Sequence, residues 1–298
     1  MKNFSGKVAV ITGAGSGLGR EFAFIAAGFG MKLVLADVQA AALERVTDEL
    51  LAQNAEVLAM VCDVSKGAHV HELADAAMAR FHGIHLVFNN AGVGSGGLIW
   101  ENTEADWEWV LGVNLWGVIH GVRVFTQAML ECAKHDPDYE GHIVNTASMA
   151  GLLNAPAMGV YNVSKHAVVS LSETLYHDLQ LVKAPIGASV LCPYFVPTGI
   201  SHSHRNRPEE LKQEAAPTAS QMAAQALTVK AVESGKVSAE DVARMTFDAI
   251  RDGQFYIFSH PQALGGVEER MQAIVNAQNP PDPYAATPHV REMLRSRL

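Results

Sequence analysis

Tyr161 and Lys165 stand four residues apart in the stretch Tyr161-Asn162-Val163-Ser164-Lys165. In a helix that spacing puts a phenol and an ammonium on one face, one above the other. A free phenol has a pKa of about 10, too high for ready proton exchange near neutrality. A fixed positive charge beside it favours the phenolate and brings that value down. The pair is therefore a candidate acid/base. Taken alone it reads equally well as a surface Tyr and Lys sharing a helix, so the rest of the chain must position it and give it a reaction.

A second chemical stretch is Thr12-Gly13-Ala14-Gly15-Ser16-Gly17-Leu18-Gly19. It follows the apolar run Lys7 to Thr12 and opens a helical pattern. Glycines there let a pyrophosphate approach backbone N–H groups, and the helix N-terminus favours the anion. The spacing is T-G-x-x-x-G-x-G. It is not G-x-G-x-x-G, because Leu18 and Arg20 stand where the third glycine would fall, and it is not a P-loop. Asp37 closes the second predicted strand, where a carboxylate accepts from the adenosine ribose hydroxyls. It also repels a 2′-phosphate, and Ser16, Val38 and Gln39 offer no basic side chain to offset it, which favours NAD over NADP. Asp63-Val64 ends the third strand, placed either to accept from an adenine amino group or to cap the next helix. Asn89-Asn90-Ala91-Gly92 follows the fourth strand and allows close backbone approach to a ligand.

The elements that must hold these residues alternate. Buried strands at Lys7–Thr12, Lys32–Ala36, Glu56–Cys62 and Leu86–Phe88 are separated by helical patterns, which predicts a parallel sheet with helices on both faces. A capping box at Thr103–Asp106 opens one long helix to about Ala133. A fifth strand, His142–Ala147, precedes a helix from Gly159 to about Lys183 that carries Tyr161 and Lys165 in its first turns. Strands at Gly187–Cys192 and Phe255–Phe258 flank a helix capped at Ser238. The expected fold is a Rossmann-like, doubly wound α/β sheet of about seven strands in a single domain, residues 1–260. Within it, about 201–230 reads as a substrate lid inserted after a strand end. His202 and His204, next to Arg205 and Arg207, suggest a metal or anion site, but no carboxylate or Cys at ligand spacing joins them and they read as a solvated loop. Residues 261–298 form an extension packed on the domain or at a subunit interface.

Composition bounds the partners. The chain has 298 residues, of which 49% are hydrophobic and 18% charged, enough for a large core. A net charge of -9 argues against nucleic acid or an anionic membrane as partner. Cys62, Cys132 and Cys192 form no C-x-x-C pair and read as buried free thiols. With no secretory pattern at Met1–Gly6 and no long apolar run, a cytoplasmic location is expected.

In order and spacing, the set Thr12-Gly13-x-x-x-Gly17-x-Gly19, Asp37, Asp63, Asn89-Asn90-Ala91-Gly92, Asn114, Ser148, Tyr161-x-x-x-Lys165 and Pro193…Thr198 resembles the short-chain dehydrogenase/reductase family, non-extended branch. The resemblance covers about residues 5–200. It implies hydride transfer between NAD and a secondary alcohol or ketone. Tyr161 then resembles the acid/base, Lys165 the residue that lowers its pKa and holds the nicotinamide ribose, Ser148 the group that binds the substrate oxygen, and Asn114 the helix-disturbing end of a proton relay. The implied cofactor contacts are Gly13, Ser16, Gly17, Leu18, Gly19, Asp37, Asp63, Val64, Asn90, Ala91, Gly92, Tyr161, Lys165, Pro193, Val196 and Thr198. A homodimer or homotetramer is implied too, with Trp100, Trp107, Trp109 and Trp116 as core or interface residues. One departure stands out: Tyr194, then Phe195, follow Pro193 where the family has glycine. Two rings there either line the pocket, which fits an apolar or aromatic substrate group, or pack under the lid. The competing readings are an NAD-retaining lyase or epimerase, and a non-catalytic dinucleotide sensor.

Overall fold

The computed structural model describes residues 1–212 and 215–297. Seven strands form one parallel sheet: β1 (Val8–Thr12), β2 (Lys32–Asp37), β3 (Val57–Val61), β4 (Leu86–Asn89), β5 (Gly141–Thr146), β6 (Ile186–Cys192) and β7 (Tyr256–Phe258). Their order is β3-β2-β1-β4-β5-β6-β7. The chain winds outward from β1 to β3, then returns to start again at β4 beside β1. The crevice between the C-terminal ends of β1 and β4 is thus the switch point, where sheets of this kind bind ligands.

β1 is buried at every position, as a strand covered on both faces must be. Alternation divides it: Ile11 packs with Phe22, Leu33, Phe88 and Phe247 on one face, and Val10 with Val34, Val87, Phe125 and Ile143 on the other. The first face is covered by α1 (Gly17–Gly28) with α2 (Ala40–Leu51), and by α8 (Ala239–Asp252). The second is covered by α3 (Gly67–Phe81), α5 (Gly117–His135) and α6 (Gly159–Leu181).

The single long helix expected from Thr103 is not one helix. α4 (Glu104–Leu111) starts at the capping box of Thr103 and Asp106 as expected. It then widens into a π-helical turn at Gly112–Trp116 before α5 begins. Asn114 sits in that turn, fully buried, with its side chain turned to the backbone of Val93. A side chain that takes partners outside the helix, with one residue accommodated in excess, is a recognised cause of a π-bulge.

The expected lid is ordered rather than an open loop. A 3-10 segment at Gly199–Asn206 and a short turn at Glu209–Leu211 lead to α7 (Ala219–Glu233), which Thr218 and Gln221 cap as a box. Positions 213 and 214 of that stretch lie outside the described residues. The extension holds α9 (Gly265–Val275) and α10 (Pro288–Arg295) on either side of the proline-rich break. Among the four tryptophans, Trp109 is core, whereas Trp100 is 77% and Trp116 50% exposed on the single chain.

Candidate active site

The site is assembled on Thr12, at the end of β1. Its hydroxyl donates to Phe88 O and accepts from Asn90 N (2.9 Å) and Ala91 N (3.1 Å), while its carbonyl accepts from Asn90 Nδ2 (3.0 Å). One side chain thereby ties the glycine turn to the turn after β4. The network continues: Thr146 Oγ1 donates to Asn90 Oδ1 at 3.2 Å, and Lys165 Nζ donates to Thr146 O at 2.9 Å. Tyr161 and Lys165 are both in the first turns of α6, and the lysine is held from the end of β5. Thr12, part of the glycine motif but given no role there, and Thr146, not singled out by the sequence at all, support this network from the strand ends.

The glycine turn is shaped by close backbone approach. A Cβ on Gly19 would fall 2.1 Å from Gly13 O, so no other residue fits there. Gly17 has φ +54 and opens α1, in the left-handed region that glycine adopts at no steric cost. Asp37 stands beside this turn. Its carboxylate accepts from Gly15 N and from Gln39 N, both at 2.9 Å, which fixes it on the wall of the crevice. Asp63 does not cap α3, whose N-cap position is Lys66; its carboxylate instead accepts from Ser65 N in a tight turn.

These residues share one cavity of about 700 Å³. Gly13, Ser16, Gly17, Leu18, Asp37, Asp63, Val64, Asn90, Ala91 and Gly92 line one part, and Ser148, Tyr161, Lys165, Pro193, Val196 and Thr198 the other. Two of the predicted residues lie behind that wall. Gly19 is buried against Gly13. Asn114 is reached through Gly92, where a Cβ would lie 3.4 Å from Asn114 Oδ1 and 3.6 Å from Lys165 Nζ. Asn114 also donates to Ser164 Oγ at 3.2 Å.

Ser148 closes the loop after β5. It accepts from Ala150 N at 3.1 Å, donates to Pro193 O at 3.3 Å, and shares the cavity wall with Tyr161. Burial pushes the Tyr161 phenol above its ordinary value, and the nearby Ser148 hydroxyl opposes that push. The Lys165 ammonium lies 5.7 Å from the Tyr161 ring centroid and points to Thr146 O. Burial pulls it down to about 8. In the chain by itself, then, desolvation outweighs the lowering of the phenol that a neighbouring ammonium was expected to give.

The other wall was largely invisible in the sequence. Trp107, Trp109 and Trp116 line the cavity along α4 and the π turn, and Tyr194 lines it after β6. Tyr194 is 43% exposed and packs against Phe195 at 4.4 Å and His260 at 5.9 Å. Phe195 does not reach the cavity, so one ring of the pair lines it and the other packs behind. Over these sits the 3-10 segment. Ser203 Oγ accepts from Gly94 N at 2.7 Å, Gln39 Nε2 donates to Asn206 Oδ1, and Arg207 pairs with buried Asp106 at 2.6 Å. Arg207 was expected in a solvated loop; it is half-buried over the Trp109 ring instead. No group of three or more His, Cys, Asp or Glu that could hold a metal exists among the described residues. Among them no helix is long and apolar enough to cross a membrane.

A switch-point crevice with a glycine turn, a ribose-side carboxylate and a Ser–Tyr–Lys wall defines a dinucleotide-dependent oxidoreductase. The short chain dehydrogenase profile matches residues 7–209, and the chain belongs to that family. It is similar over its whole length to solved and characterised members. A short-chain dehydrogenase/reductase from Burkholderia phymatum, solved in complex with NAD, superposes with a TM-score of 0.92 at 56% identity, covering 95% of this chain and 99% of that one. The CLA biosynthesis dehydrogenase/reductase of Lactiplantibacillus plantarum is 35% identical over 92% of this chain and 95% of its own length. The C alpha-dehydrogenase of Sphingobium sp. (strain NBRC 103272 / SYK-6) is 30% identical over 99% of this chain and 94% of its own. The protein is thus an NAD(P)-dependent oxidoreductase acting on CH–OH donors.

Proposed function

We propose that this protein is an NAD-preferring dehydrogenase/reductase of secondary alcohols and ketones, with Tyr161 as the proton-exchanging group. The observation that carries the reading is the convergence of Ser148, Tyr161 and Lys165 on the wall of one cavity that the glycine turn and Asp37 also line. The residues fit a dinucleotide: Gly13, Gly17 and Gly19 bring the backbone of the turn close to the crevice, Asp37 is fixed on its wall and would hold the adenosine ribose, and Lys165 would hold the nicotinamide ribose. When bound, the dinucleotide supplies the hydride acceptor or donor. Ser148 binds the substrate oxygen and aims it at Tyr161. The Tyr161 phenol takes up or gives the hydroxyl proton at Oη. Lys165 holds the proton path, and Thr146 O holds Lys165.

Tyr194, Trp109, Ile200, Leu211 and Val232 give the substrate end an apolar lining, which supports a substrate with an apolar or aromatic substituent. Asp37 supports NAD over NADP. Trp116 and Val163, exposed on neighbouring helical segments, support a homodimer or homotetramer; three unpaired cysteines support a cytoplasmic location.

The decisive experiment is Tyr161→Phe, assayed with a panel of secondary alcohols and ketones. Removing a positioned acid/base is expected to lower kcat by at least about a hundredfold, while NADH binding followed by fluorescence persists. Turnover equal to the wild type overturns the assignment. Binding of NADH with no net absorbance change on any alcohol or ketone favours the sensor reading instead.

A further inference from the structure

The family motifs assign the pyrophosphate to the backbone of the glycine turn and leave the lid's cations without a role. Arg205 is one of them. It is exposed, it lines the cavity, and among the described residues no carboxylate pairs with it. Its guanidinium is nevertheless held in place: Nη1 donates to Gly199 O at 3.0 Å and to His202 O at 2.7 Å. Two bonds to carbonyls orient the group without neutralising it.

Its position follows from three contacts. A Cβ on Gly199 would lie 3.1 Å from Arg205 Nη2, so the guanidinium rests on Gly199. Gly199 follows Thr198, whose Cβ would lie 3.1 Å from a Cβ on Gly17. Gly17 is the first residue of α1, where the anion is expected. The next lid residue, Asn206, accepts from Gln39, next to Asp37's ribose position. Arg205 therefore lies on the Gly199 stretch that meets the N-terminus of α1, one residue before the Asn206 contact with Gln39.

Charge on the wall makes a cation there consequential. Asp37, Asp63, Glu108 and Glu210 also line the cavity, and the whole chain is at -9. A diphosphate entering this site meets acidic groups on both sides, and the partial charge of one helix end is a weak counterweight. A planar guanidinium on the lid, with free N–H donors, matches a phosphate in geometry as well as charge.

We propose that Arg205 is a pyrophosphate-binding residue carried by the lid, which closes over the dinucleotide from the side opposite the glycine turn. The proposal rests on placing the diphosphate at Gly13–Gly19. Ser203, Asn206 and Arg207 seat the segment, and Arg205 reads the ligand under it.

The test measures binding of NADH by fluorescence, and of ADP and adenosine by displacement of NADH, to the wild type, Arg205→Gln and Arg205→Lys. Expected for Arg205→Gln is about a tenfold loss for both NADH and ADP, with adenosine unchanged and the melting temperature as in the wild type. Arg205→Lys recovers part of the loss, and the Gln variant shows a shallower salt dependence. Equal affinities in wild type and Arg205→Gln overturn the proposal alone, since the turn still binds. A loss shared equally by adenosine overturns it in favour of a general loosening of the lid. Should the wild type bind neither NADH nor ADP, the placement of the diphosphate falls, and the proposal with it.

Discussion

Asn114 carries both main-chain hydrogen bonds of Val93: its Oδ1 accepts from Val93 N at 2.8 Å and its Nδ2 donates to Val93 O at 3.0 Å. Val93 follows the Asn90-Ala91-Gly92 turn, so one amide fixes the cavity floor to the π turn of the neighbouring helix. Asn114→Leu keeps the volume but leaves a buried N–H and a buried C=O without partners. The expected cost is about 3 kcal/mol of unfolding free energy, from two such groups at about 1–3 kcal/mol each. Chemical denaturation followed by circular dichroism checks it. A variant as stable as the wild type shows that this side chain is not what holds the loop.

What could be read in advance here was local. The T-G-x-x-x-G-x-G turn, Asp37, and Tyr161 with Lys165 each declare themselves within a few residues, because the chemistry and the backbone constraint coincide. The seven-strand alternation was legible for the same reason: β-branched runs between helical patterns leave few topologies open. The disturbance of the helix at Asn114 is implied by the family resemblance, but its π form was not legible, since the apolar spacing of residues 104–133 continues through it. Nor was the seating of the lid. Arg207 and Asp106 are 101 residues apart in sequence, and a polar stretch with two His and two Arg looks solvated until its partners are known. Desolvation of Tyr161 belongs to the same class, because burial is a property of the whole fold.

Asp37 makes a prediction about the cofactor. Both of its oxygens are held by backbone N–H groups, so the carboxylate cannot swing away from an incoming 2′-phosphate. Like charges in fixed contact cost several kcal/mol. The ratio of kcat/KM for NAD over NADP is therefore expected to exceed about a hundredfold in the wild type. In Asp37→Ser it is expected to shrink at least tenfold, mainly through a better NADP value. Steady-state kinetics with both cofactors decide it, and a wild type that uses NADP better than NAD refutes the role given to Asp37.

Lys165 makes a prediction about stability and pH. Burial brings the ammonium down to about 8 in the folded protein, against about 10.4 for a free lysine. This reverses the usual case of a lysine that gains a partner. The unfolded chain binds this proton more tightly, so the charge is a liability to the fold at every pH below about 8. That liability is relieved as pH rises from about 8 to about 10.4. At neutral pH it amounts to about 3 kcal/mol, less about 1 kcal/mol for the hydrogen bond to Thr146 O. Lys165→Met, measured without dinucleotide, is expected to be more stable than the wild type by about 2 kcal/mol at pH 7, yet nearly inactive. The two denaturation curves should converge toward pH 10, where the wild-type lysine is neutral in the folded state. Other ionisable groups titrate alike in both proteins, so the difference isolates Lys165. A stability difference that stays constant from pH 7 to pH 10 shows that the buried charge is compensated at every pH, and that the lysine is not the strained group its burial implies.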